Sequence, residues 1–222
     1  MAQANVIFDL DGTLIESEQV WRDVRHEFVV KHGGRWTDEA QKKMIGMRTE
    51  EWASYIHDDL GVTLATNEIA KEVVDLVKQR LAESMPIIPG AGEALKRLTS
   101  RFSLGLATSA ALPVAQMVLT KTGWERFFAV VVSADQVTRG KPAPDVYLRT
   151  LELLEADASR TAAVEDSASG IRSAHAAELA VIAIPNREFP PDQDALSLAA
   201  RALNNISQLN VDTVEDALNQ RR

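Results

Sequence analysis

Val6-Ile7-Phe8-Asp9-Leu10-Asp11-Gly12-Thr13-Leu14 is the stretch on which the reading of this chain turns. Three apolar residues suit a buried strand, and two acids separated by one leucine follow at once. An isolated Asp-x-Asp-Gly is more often a surface turn, because both residue types favour turns. A calcium-binding EF-hand loop needs glycine at its sixth position, and here glycine is fourth, so that reading fails. The position of the acids matters more: in an open α/β sheet, groups leaving the carboxyl ends of strands face a ligand site and not the core.

Further apolar runs at residues 104–107, 130–132, 162–164 and 181–184 are candidates for buried parallel strands. Helical spacing lies between them. Ala91, Ala94, Leu95 and Leu98 recur at helical intervals, and residues 112–119, 146–154 and 171–177 read in the same way. Strands alternating with helices predict an α/β chain with a doubly wound parallel sheet. From about residue 18 to residue 85 the alternation stops and helix follows helix, with Trp21, Val24, Phe28 and Val29 on one face. The borders of this segment, Glu16-Ser17-Glu18 and Pro86-Ile87-Ile88-Pro89-Gly90, have hinge-like chemistry. Residues 1–17 and 86–222 are therefore expected to form the α/β core, with 18–85 a helical insert. Beyond residue 184 come a loop at 185–191, a weak helix or strand pattern at 195–209, and a last helix near 213–218.

Composition narrows the function classes. With 45% hydrophobic and 25% charged residues among 222, the chain can bury a sizeable core. Its net charge is -8 and it has no run of Lys or Arg, which argues against nucleic acid or an anionic lipid surface as partner. The absence of cysteine excludes disulfides, a thiolate nucleophile and a thiolate-bound metal. The first apolar run is broken at once by Asp9, so neither a signal peptide nor a membrane span is expected, and a cytoplasmic protein is the default reading.

Three more strings fall at predicted strand ends or helix starts. Ala107-Thr108-Ser109 offers two hydroxyls and backbone amides where a plain helix cap is equally natural. Gly140-Lys141-Pro142-Ala143-Pro144-Asp145 presents a lysine on a loop stiffened by prolines. Val164-Glu165-Asp166-Ser167-Ala168-Ser169-Gly170 places paired acids before a helix. Each is weak alone, and the specificity lies in their joint occurrence in this order.

In that order the four strings resemble the haloacid dehalogenase superfamily. The closer likeness is to its phosphatases with a helical cap inserted after the first strand, the group of hexose and hexitol phosphate phosphatases, phosphoglycolate phosphatase and β-phosphoglucomutase. The resemblance covers essentially the whole chain and implies a Rossmann-like core. It implies hydrolysis of a small phosphomonoester of a sugar, polyol or hydroxyacid through an aspartyl-phosphate, with Asp9 as nucleophile and Asp11 as general acid and base. It also implies Mg²⁺ held by Asp9, the backbone carbonyl of Asp11 and Asp166, with Glu165 supporting the ion directly or through its neighbours. Thr108, Ser109 and Lys141 would bind the phosphate oxygens, Thr108 being the hydroxyl that matches the family motif. A dehalogenase expels halide and needs no proton donor, so an acid at Asp11 disfavours that branch.

In the insert, Gly46-Met47-Arg48 resembles the loop that reaches across the closed site, where Arg48 would contact phosphate or a substrate hydroxyl; a solvated arginine beside Glu50 and Glu51 is the equal alternative. Glu18 and Trp21 resemble the marks of the sugar phosphate phosphatases, and Trp21 also suits a packing role. β-Phosphoglucomutases carry histidine at the Trp21 position, which weakens a phosphomutase reading. A non-enzymatic sensor of a phosphometabolite is the remaining alternative, opposed by the joint presence of Asp9, Asp11, Lys141 and Asp166. The expected partner is a small phosphorylated metabolite, and the expected state is a monomer or weak oligomer.

Overall fold

The computed structural model describes residues 4–37, 39–187 and 189–220; residues 1–3, 38, 188, 221 and 222 lie outside the described set. In chain order the elements are β1 (Asn5–Phe8), α1 (Glu18–Lys31), α2 (Ala40–Met44), α3 (Thr49–Asp58) and α4 (Thr66–Glu83). Then come α5 (Ala91–Leu98), β2 (Ser103–Thr108), α6 (Leu112–Thr122), β3 (Phe128–Ser133) and α7 (Asp145–Leu154). The chain ends with β4 (Thr161–Glu165), α8 (Ala168–Ala176), β5 (Ala180–Ala183), α9 (Gln193–Leu196), β6 (Arg201–Ala202) and α10 (Val211–Gln220).

The six strands form one sheet in the order β3-β2-β1-β4-β5-β6, every neighbouring pair parallel. β1 lies inside the sheet, with Phe8 in register with Leu106 on one side and Val164 on the other. Side chains alternate between the faces of a strand. Val6 and Phe8 accordingly join one apolar cluster with α5, α6 and α10, while Ile7 joins another with Val146, Tyr147, Ile171 and Ala174 of α7 and α8. Burial on both faces explains why these strands read as unbroken apolar runs. From β1 the chain first winds toward β3, then crosses back to start β4 on the opposite side, so a crevice opens at the carboxyl ends of β1 and β4.

Between residues 18 and 85 the described residues hold four helices and no strand of the sheet. The insert leaves and rejoins the core on adjacent segments. Glu16 N–H donates to Pro86 O at 2.8 Å, Ile88 N–H donates to Leu14 O at 3.0 Å, and Ile15 and Ile87 form an antiparallel bridge. Residues 195–209 resolve into the end of α9, the edge strand β6 and a single turn at Ile206–Gln208. A two-residue strand has too few positions to show a period, which is why that region reads ambiguously.

Candidate active site

Asp9 is the first residue past β1. Its N–H still bonds to Val164 O at 3.0 Å, so the strand delivers its side chain to the carboxyl edge of the sheet, where it is 5% exposed. β4 ends in Glu165, fully buried, and Asp166 follows at 4% exposure. Ligand atoms of these three carboxylates lie within 4.8 Å of one another. Two glycines clear the space. Gly12, at φ +83°, turns the chain and faces the Asp166 carboxylate, and Gly170 in the first turn of α8 faces that of Glu165; a methyl group at either position would occupy the volume of the acid.

Lys141 enters from the loop before α7. Its ammonium donates to Asp9 Oδ1 at 2.6 Å, to Glu165 Oε1 at 2.5 Å and to Ala107 O at 3.2 Å, and it lies 5.2 Å from the centre of the Tyr147 ring. Tyr147 in turn donates its hydroxyl to Glu165 Oε1 at 2.7 Å. Burial pushes the Asp9 carboxyl well above its usual range, with Lys141 opposing and Glu165 and Asp11 adding to the rise. Burial and then the neighbouring carboxylates do the same to Asp166. For Lys141 burial acts downward, but Asp9 and Glu165 more than reverse it, so the ammonium is held charged. Three buried carboxylates against one ammonium leave two negative charges uncompensated. Hard oxygen donors with that deficit fit a divalent cation such as Mg²⁺.

Asp11 stands apart from this cluster, at the wall of the adjoining cavity. Its carboxylate accepts hydrogen bonds from Ser17 Oγ, from Trp21 Nε1 at 3.2 Å and from Thr108 Oγ1 at 3.3 Å. The cavity has a volume of about 360 Å³; Asp9, Asp11, Ser109, Lys141 and Asp166 line it from the core, and Glu18, Trp21, Arg25 and Trp52 from the insert. Of the two hydroxyls left open by the sequence, Ser109 therefore faces the cavity. Thr108 is fully buried, its oxygen committed to Asp11 and accepting from Ala110 N–H at 3.0 Å. Glu165 is likewise buried beneath the lining.

Arg48 does not line the cavity. Its guanidinium is held by Glu51 at 3.4 Å, by Glu50 at 3.8 Å and by Val137 O at 3.1 Å, a bridge from the insert to the loop after β3. Of the two readings of Arg48, the structure shows the arginine beside Glu50 and Glu51, and it adds a contact between insert and core through Val137 O. Other bonds cross the same seam: Thr49 N–H and Oγ1 donate to the Asp135 carboxylate at 3.0 and 2.7 Å, and Ser109 Oγ donates to Gly46 O at 3.2 Å.

Sequence reasoning passed over Ser17, Tyr147 and Arg25. Ser17 and Tyr147 carry no local signal, since their partners Asp11 and Glu165 are brought in by the fold. Arg25 did have one: a charge in the buried stripe of α1, seven residues after Glu18 and four after Trp21.

With the site described, comparison with known proteins gives its class. Residues 6–184 match the family described as haloacid dehalogenase-like hydrolase. The chain belongs to that family and is an enzyme of it. Among its relatives is the phosphorylated carbohydrates phosphatase of Thermotoga maritima, 31% identical over 78% of this chain and 80% of that protein. The bifunctional riboflavin kinase/FMN phosphatase of Arabidopsis thaliana is 27% identical over 93% of this chain, which spans only 54% of that relative's length. The crystal structure of CbbY from Rhodobacter sphaeroides in complex with phosphate superposes with a TM-score of 0.86, covering 96% of this chain and 100% of that one. At 24% identity this last likeness speaks for the fold alone.

Proposed function

We propose that the chain is a Mg²⁺-dependent phosphatase that cleaves a small phosphomonoester of a sugar, polyol or hydroxyacid through an aspartyl-phosphate on Asp9. One observation carries this reading: a buried carboxylate, tied to a charged lysine inside an acidic cluster, with a separately held carboxylate two residues on at the same cavity. The first would attack phosphorus and the second would move protons.

Asp9, Asp166, Glu165 and the Asp11 loop would hold Mg²⁺, which supplies charge neutralisation for the approach of a phosphate dianion to carboxylates. Lys141 adds a fixed positive charge, and Ser109, once its hydroxyl leaves Gly46 O, would with the amides following β2 offer donors to the phosphate oxygens. An Asp9 oxygen forms the bond to phosphorus as the bond to the leaving oxygen breaks, and Asp11 gives that oxygen its proton. Asp11, now ionised, takes a proton from water as the water oxygen attacks phosphorus. Inorganic phosphate leaves and the Asp9 carboxylate is regenerated.

The test is phosphate release from a panel of sugar, polyol and hydroxyacid phosphates, with Mg²⁺ and with EDTA, by the wild type and by Asp9→Asn. The reading expects metal-dependent turnover in the wild type and background rates in the variant. Turnover without a metal ion, or turnover that survives Asp9→Asn, would overturn it.

A further inference from the structure

The buried stripe of α1 contains a charge that the reaction does not use. Arg25 shares it with Trp21, Val24, Phe28 and Val29 and is 5% exposed. Its guanidinium carbon lies 4.7 Å from the Trp21 ring centre and 5.0 Å from that of Trp52, so the group is packed against two indoles. Only the N–H edges of such a group remain for a partner. Nε has no hydrogen-bond partner, and no ion pair of this guanidinium exists among the described residues. Glu18 is close enough to act on Arg25 through space, but its carboxylate takes its hydrogen bond from Gln41 Nε2 at 3.0 Å. Burial lowers the Arg25 pKa to about 10, which still leaves the side chain charged at neutral pH.

A buried cation on which Glu18 and Asp11 act only through space, with no direct ion pair among the described residues, is costly in a folded protein, and cation–π contacts offset only part of that cost. Arg25 lines the cavity that holds Asp9 and Asp11. A single indole separates it from the chemistry: Trp21 donates to Asp11 through Nε1 and carries the guanidinium on its face. Whatever occupies the cavity therefore meets phosphoryl-transfer groups at one end and a desolvated cation a short way along. Lys42, which also lines the cavity, adds to the positive charge of the insert side.

We infer that Arg25 selects phosphomonoesters bearing a second anionic group, a carboxylate or a second phosphate, remote from the ester to be cleaved. This deepens the phosphatase reading of the site and rests on it. A planar fork matches the two oxygens of such an anion in one geometry, whereas a hydroxyl satisfies an N–H and leaves the charge uncompensated. The short span favours compact acids over long ones.

The experiment compares matched pairs that differ at the remote end: 2-phosphoglycolate with 2-hydroxyethyl phosphate, 3-phosphoglycerate with glycerol 3-phosphate, and 6-phosphogluconate with sorbitol 6-phosphate. Fructose 1,6-bisphosphate against fructose 6-phosphate separates a second phosphate from a carboxylate. The wild type is expected to favour the anionic member of at least one pair by about tenfold or more in kcat/KM, carried mainly by KM. In Arg25→Met, which keeps the aliphatic packing, that ratio is expected to fall about tenfold or more; Arg25→Lys should fall between, having charge without the fork. The same pairs are titrated by calorimetry into the Asp9→Asn protein with and without Arg25→Met, so discrimination is read without turnover. Absence of any anionic preference in the wild type overturns the proposal, and so does a preference that Arg25→Met retains. If Arg25→Met fails to fold by circular dichroism, an Arg25→Lys ratio equal to wild type overturns it instead. If no pair is hydrolysed, the phosphatase reading falls, while the calorimetric ratio still decides the role of Arg25.

Discussion

Lys141 sits between two carboxylates, Asp9 and Glu165, with both contacts at 2.6 Å or less and all three groups buried. Removing one member of a buried ion-pair set leaves charge without compensation, a loss of about 3 to 5 kcal/mol. Lys141→Met is therefore expected to lower the unfolding free energy by about that much in urea without divalent ions, and saturating Mg²⁺ should narrow the gap. An equal deficit with and without the ion would separate the lysine from the metal site. Asp11 calls for a different measurement, because three donors hold its carboxylate away from the acidic cluster. Asp11→Asn should reduce kcat about 10² to 10⁴-fold on an alkyl phosphate, the usual worth of a positioned proton donor. The burst of leaving group from p-nitrophenyl phosphate, which needs little protonation, should suffer much less. Equal losses in the two would remove Asp11 from the role of acid. The positions of Asp9, Asp11 and Asp166 were legible because they stand in strings at strand ends, and that of Lys141 because its string precedes a helix; the roles assigned to them come from the resemblance. The split between Thr108 and Ser109 was not legible, since which hydroxyl a strand end buries depends on how β2 sits between β1 and β3.

Among the elements, α1 carries the largest conflict between burial and charge. Glu18 at its start is pushed up from 4.5 to about 7 by burial and then by the charge of Asp11, with Arg25 acting in the opposite sense. A raised carboxyl pKa means that the stability it contributes is present below pH 4.5 and is lost as pH rises through about 7. Glu18→Gln is thus expected to gain on the wild type across that window in metal-free buffer, by at most about 3 kcal/mol. A stability difference that stays flat from pH 4.5 to pH 7.5 would show that the carboxylate remains hydrated. The seam between α3 and the core offers a second handle. The Asp135 carboxylate takes two bonds from Thr49 at the positive end of α3. Asp135→Ala should loosen that contact and speed amide exchange in α3 relative to the sheet. Five of the six strands and the core helices other than α9 were legible because burial on both faces, or on one stripe, writes itself as spacing, while the insert was legible only as a helical segment. The pairing of Arg48 with Glu50 and Glu51 was legible too, but its contact with Val137 O, 89 residues away in sequence, was not.

At the scale of the molecule, the acidic cluster makes the apoprotein sensitive to both pH and divalent ions. The raised carboxyls of Asp9 and Asp166 favour the fold while protonated and oppose it once ionised, so their contribution is lost as pH rises above the ordinary carboxylate range. Mg²⁺ should accordingly raise Tm more at pH 8 than at pH 5. At a concentration 100 times its Kd the ion stabilises by about 2.7 kcal/mol, or roughly 5 to 10 °C for a chain of this size. Scanning calorimetry at the two pH values checks the direction, and a larger shift at the lower pH would contradict the charge balance assigned to the cluster. Among the described residues no helix is long and apolar enough to cross a membrane.

The two crossings of the chain between core and insert run side by side, pinned by the Ile15–Ile87 bridge and the bonds of Glu16 and Ile88. Because both crossings lie at one point, that point is the expected pivot of any swing of the insert against the core. The bonds of Arg48, Thr49 and Gly46 then act at the free end of a lever. A rotation at that pivot would have to break them together with the packing of α4 against α6. The clearance left beneath the lever would then limit the length of a molecule that can be enclosed.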